Sequence, residues 1–181
     1  PESRLGDNIW HQGLYDGYPK TSEISTSLAK ANYPSGSFHS TTMNEKPFRS
    51  DIQADGADLE SIKSTLLHEL QHAVQSREGF ARGGSSTGPY QSGELDAVIA
   101  EIFDKIKLHP ANKGESKTDL FQHARKLAQT PDMRYKIYKR LAGEAEARNV
   151  QTRKDMTMDQ RRAKPPWKTL DVPEDELIFR K

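Results

Sequence analysis

Apolar residues recur at steps of three and four over residues 57–77: Leu59, Ile62, Leu66, Leu70 and Ala73. That spacing predicts an amphipathic helix with Gly79 as its stop. Leu95, Val98, Ile99, Ile102, Phe103 and Ile106 predict a second helix, ending near Pro110. Leu120, Phe121, Ala124, Leu127 and Ala128 predict a third. Thr130-Pro131-Asp132 offers a hydroxyl cap, a proline at the first helical position and an acid in the first turn. A fourth helix is therefore expected from there to about residue 152. Thr157 and Gln160 suit the capping box of a short helix that must end by Pro165-Pro166.

Strand signals are shorter. Residues 22–29 and 36–41 flank the turn-forming Pro34-Ser35-Gly36 and predict a β-hairpin. Ser50–Ala54 reads as a third short strand and Glu176–Arg180 as a last one. Residues 5–19 read as a short helix or turn closed by Tyr18-Pro19. Residues 79–93, with Gly79, Gly83, Gly84, Gly88 and Gly93, predict a long loop. There are no internal repeats. The pattern predicts an α+β fold, helical, with a small antiparallel sheet beside the 57–77 helix. The length of 181 residues suits one domain over 1–181.

Hydrophobic residues make up 33% and charged residues 29%, which implies a small core and long polar loops. The net charge of +1 argues neither for nucleic acid nor for a membrane surface. A basic run at 134–164 includes Arg134, Arg140, Arg148, Arg153, Lys154 and Arg161. It reads as a phosphate-binding stripe or as a solvated helix face, and the second is favoured; nucleic-acid binding ranks last among the functions considered. No stretch is apolar enough to span a membrane. The chain opens on Pro1 without a signal peptide, which reads as a piece of a longer protein or a processed product, intracellular by default. Cysteine is absent, so any metal must be held by His, Asp or Glu.

His68-Glu69-Leu70-Gln71-His72 is an HExxH sequence within the first predicted helix. Residues four apart lie one turn apart on nearly the same face, so both imidazoles can reach one zinc ion. With Leu66 at zero, His68 falls at about 200° and His72 at about 240°, opposite the apolar stripe. Ser61, Ser64, Thr65 and Gln75 share that side. The helix is thus expected to present its histidines to a polar cleft, with Glu69 placed to accept a proton from water.

A catalytic zinc needs a third protein ligand. Glu78 lies six residues after His72, but zinc enzymes that place a ligand there turn the chain with a glycine midway, where Gln75 stands. Gly143–Ala147 (GEAEA) offers Glu144 and Glu146. With Tyr138, Leu141 and Ala145 on the buried side of the fourth helix, Glu144 lies about 60° off Leu141 and Glu146 about 140° off. That favours Glu144 as the ligand and leaves Glu146 to solvent or to a supporting contact.

Thr65–Gln75 (TLLHELQHAVQ) followed by Glu78–Ser85 (EGFARGGS) resembles the zincin-like metallopeptidase domains of the large polyvalent proteins of phages and conjugative elements. Leu5-Gly6-Asp7, Tyr18-Pro19, Leu141–Val150 (LAGEAEARNV) and Thr169–Pro173 (TLDVP) extend the likeness over nearly the whole chain. The resemblance implies a peptidase module of a longer polyprotein, delivered with DNA or phage particles into a host cell. It implies one zinc ion and a glutamate ligand beginning an E-x-x-A pattern, which Glu144 and Ala147 match. An aspartate is common four residues after that ligand, and this chain has Arg148.

These features together predict a zinc metallopeptidase acting on a protein or peptide substrate, with metal on His68, His72 and Glu144 and with Glu69 as general base. Tyr90 is a candidate oxyanion donor, though a plain surface tyrosine is favoured. A strand within 36–54 is a candidate to pair with an extended substrate. The rival expectation is a non-catalytic, zinc-stabilised interaction module.

Overall fold

The computed structural model describes residues 3–43, 46–81, 83–85, 88 and 94–180, the side chains of 42–48 excepted. The chain opens with β1 (Ser3–Arg4), α1 (Leu5–Asn8) and α2 (Gln12–Gly17). Strands β2 (Ser25–Lys30), β3 (Ser35–Met43) and β4 (Lys46–Gly56) lead into α3 (Leu59–Glu78). The remainder is helical: α4 (Glu94–Lys107), α5 (Lys117–Ala128), α6 (Pro131–Arg140), α7 (Ala142–Arg153) and α8 (Met158–Ala163).

The sheet is mixed rather than antiparallel. Its order is β1-β2-β4-β3, with β2 and β4 parallel and the other two pairs antiparallel. The expected hairpin between β2 and β3 does not form. Instead β3 turns back as a hairpin with β4, and β4 slots between β3 and β2. The reason is burial. On β4, Ile52 and Ala54 are 1% and 0% exposed, whereas β3 brings Phe38, half-buried, to the same cluster. The strand with the stronger apolar face takes the centre and β3 takes the edge.

Helix α3 packs across this sheet. Leu5, Ile24, Ile52, Ala54, Leu66, Leu70 and Ala73 form the cluster between them. Asp58 and Ser61 cap α3 reciprocally, and Gly79 ends it with a left-handed φ of 65°. Leu59, expected on the apolar stripe, is 83% exposed; it lies at the first helical position, outside that cluster. A second cluster joins α4, α5 and α6 through Val98, Ile99, Ile102, Ala124, Ala128 and Ile137.

The expected fourth helix is two helices. At Leu141 the backbone is extended, with φ −60° and ψ 125°. Leu141 is 1% exposed. The tail satisfies the backbone groups freed by the break: Ala142 N–H donates to Ile178 O at 2.8 Å, and Ile178 N–H to Arg140 O at 2.7 Å. The expected tail strand is reduced to this single bridge. The break frees α7 to lie along α3, and Glu144 falls in its first turn.

Several cations of the basic run are paired within the fold. Arg140 pairs with Glu101, Arg148 with Asp171 and Lys154 with Glu60. Arg153 is buried and donates to Lys164 O and to the Thr169 hydroxyl. No helix among the described residues is long and apolar enough to cross a membrane.

Candidate metal centre

Helix α3 is covered on two sides. Its Leu66 and Leu70 face the sheet cluster, while His68 and His72 on the far side reach side chains of α7. The polar face expected to line a cleft is therefore largely enclosed. The His68 and His72 side chains are 13% and 14% exposed, and Glu144 is 2% exposed.

The three side chains converge. His68 Nε2 and His72 Nε2 lie 3.2 Å apart. His68 Nε2 is 3.2 Å from Glu144 Oε2, and His72 Nε2 is 3.4 Å from Glu144 Oε1. Among the described residues, these three form the one grouping of potential ligands close enough to share an ion. Neighbouring ligands of tetrahedral zinc, with bonds of about 2.0–2.1 Å, sit roughly 3.3 Å apart.

The outer ring nitrogens are also engaged. His72 Nδ1 lies 2.8 Å from Gln75 Oε1, and His68 Nδ1 lies 3.2 Å from Gln151 Oε1. An amide oxygen only accepts, so each ring donates from Nδ1. A neutral ring then turns a bare Nε2 lone pair inward. Two such lone pairs facing a carboxylate repel one another unless a cation lies among them, and the donor set therefore fits a metal ion.

Burial pushes the Glu144 carboxyl up, but hydrogen bonds from His68 and His72, the charge of His72 and the Gly84 N–H outweigh it and hold the group well below the usual carboxylate range. Burial lowers His72, yet the adjacent Glu144 carboxylate and the Gln75 amide raise it overall. Glu69 is raised by burial, against the pull of His72 and His68. A buried carboxylate beside the ligand cluster is a suitable proton acceptor.

Two glycines pack onto this centre where no larger residue fits. A Cβ at Gly83 would lie 2.3 Å from Glu144 Oε1 and 2.5 Å from His72 Cε1. A Cβ at Gly36, on β3, would lie 2.5 Å from Glu69 Oε1. The backbone of the edge strand thus lies directly against the glutamate.

The other candidates sit elsewhere. Glu78 is exposed and accepts a hydrogen bond from Tyr18. Glu146 accepts from Gln75 Nε2 at 2.7 Å and stays outside the cluster. Tyr90 lies outside the described residues. Arg148 binds Asp171 and the Lys139 carbonyl.

Sequence reasoning passed over three residues. Gln75 was weighed only as the residue in a glycine's place and as part of a polar face, yet it is three positions after His72 on the same side of α3. Gln151 is seven positions after Glu144, two turns on and again on the same side, so a helical wheel of α7 drawn from Glu144 would have found it. Tyr138 lies close to this centre, and burial together with the Glu144 carboxylate raises its pKa. Compared with protein families, curated proteins and solved structures, the chain matches none.

Proposed function

We propose that the chain is a zinc-dependent metallopeptidase, with His68, His72 and Glu144 as metal ligands and Glu69 as general base. The observation that carries this is the convergence of two Nε2 lone pairs and one carboxylate beside a fourth, buried and proton-hungry carboxylate. Zinc bound there would supply Lewis acidity, polarising a carbonyl and making water nucleophilic near neutral pH. Glu69 takes the proton of the attacking water and returns it to the leaving amine. Tyr138 lies near the ligand carboxylate, whose charge helps to raise its pKa.

A peptide substrate fits the surroundings of Glu69. Strand β3 is the sheet edge, and its backbone at Gly36 meets the Glu69 carboxylate. An extended segment added to that edge would run past the general base. Kinship with zincin-like domains and a place in a longer polyprotein belong to the same proposal, and the sequence likeness carries them.

A structural zinc site is the second reading, favoured by the near-complete burial of Glu144. Two measurements separate them. Glu69→Gln should bind zinc normally and cleave no peptide; cleavage at the parent rate refutes the mechanism. Chelation should abolish activity with a modest loss of thermal stability. Near-global unfolding on chelation would favour the structural site.

A further inference from the structure

We infer that Gln75 and Gln151 are positioning residues of this centre, each locking one histidine in the tautomer that turns its Nε2 lone pair toward the shared ion. The inference rests on the zinc reading above and concerns how the ligands are held.

An amide can present either end, and here its other contacts decide which. Gln75 Nε2 donates to Gly143 O at 2.9 Å and to Glu146 Oε2 at 2.7 Å. A carbonyl and a carboxylate accept only, so the nitrogen must sit there and Oε1 must face His72. Gln151 Nε2 donates to Ser64 O and Ser64 Oγ, both at 3.1 Å, which leaves Oε1 for His68. The orientation of each ring is thus set two contacts away from the ion.

Both locks cross the α3–α7 boundary. Gly143 and Glu146 flank Glu144 in the chain, so the amide that orients His72 also seats the turn that carries the third ligand. Gln151 reaches from α7 to Ser64, one turn before His68. Ligand spacing and ring tautomer are therefore products of one interface. The acceptors are neutral amides, where metal-bound histidines often meet a carboxylate, so they orient the rings without adding charge.

The test uses zinc affinity, measured by competition with a chromogenic chelator, and 15N NMR of the histidine rings in the metal-free protein. Gln151→Leu should bind zinc about 10–100-fold more weakly than the parent. Gln151→Glu keeps an acceptor for His68 and should recover most of that loss. Each ring of the parent should carry a proton on Nδ1, and His68 should lose it in Gln151→Leu but not in Gln151→Glu. Unchanged affinity in Gln151→Leu, or equal loss in both variants, overturns the assignment. So does a parent His68 with no proton on Nδ1, which is readable even if Gln151→Leu does not fold. A parent chain that binds no zinc while its rings hold the Nδ1–H form would sink the zinc reading and leave the tautomer lock standing.

Discussion

The backbone N–H of Gly84 donates to Oε1 of Glu144 at 2.8 Å. A segment of the glycine-rich loop thereby rests on the buried carboxylate that closes the candidate metal centre. The contact needs the bare backbone of Gly83, which lies against both Glu144 and His72.

Gly83→Ala should therefore loosen the centre. The added methyl must displace either the loop or the Glu144 carboxylate, because its approaches to Glu144 and His72 are far inside van der Waals contact. Zinc affinity is expected to fall by about tenfold, the scale seen when a contact supporting a ligand is lost. Chelator competition measures it, and parent-like affinity would show that the loop is not held against the carboxylate.

Glu69→Gln should lower the rate of peptide cleavage by roughly 10²–10⁴-fold, the usual contribution of a positioned general base. Zinc content, measured by atomic absorption, should match the parent. A loss of both together would place Glu69 in holding the metal or the fold instead.

Removing one partner of the buried Arg180–Glu94 pair should be costly. Both side chains are 7% exposed, and Arg180 Nη2 donates to Glu94 Oε2 at 2.8 Å. Arg180 also donates to Gly83 O at 3.1 Å. Arg180→Met should cost about 3–5 kcal/mol in urea unfolding. The double change with Glu94→Leu should cost less than the sum of the single changes. Strict additivity would mean that the two groups do not interact.

Stability should decline in acid partly through Asp171. Burial raises this carboxyl, but Arg148 and Lys139 outweigh burial and depress it. A depressed carboxylate stabilises the fold above its unfolded value of about 3.9, and the stabilisation is lost as pH falls through the folded value. Melting temperature should therefore drop below about pH 4, and less steeply in Asp171→Asn. At pH 7 that variant should be less stable by about 1 kcal/mol, because the amide keeps one acceptor oxygen for the Arg148 guanidinium but loses the second and the charge. An identical acid slope in parent and variant would remove Asp171 from the account.

Local signals were legible in the sequence. The three-and-four spacing of Leu66, Leu70 and Ala73 and the Gly79 stop sufficed to locate α3, since helix periodicity and termination involve residues within a few positions of one another. Thr130-Pro131 and the Thr157–Gln160 box located the starts of α6 and α8 for the same reason. The same wheel placed His68 and His72 opposite the apolar stripe that packs on the sheet.

What lay beyond reach depended on distant partners. No local pattern says that β4 displaces β2 from β3, because strand order is chosen by which strand buries the most apolar surface against α3. No local pattern breaks the helix at Leu141, because the groups that repay the break belong to Ile178. Glu144 meets His68 only once that break lets α7 lie along α3, and the glutamines act only across that boundary. The sequence by itself determined the helix that carries the histidines and the chemistry they permit. Tertiary packing decided which carboxylate joins them and which amides aim them, because those contacts span some seventy to eighty-three residues of chain and exist only when α3 and α7 are docked.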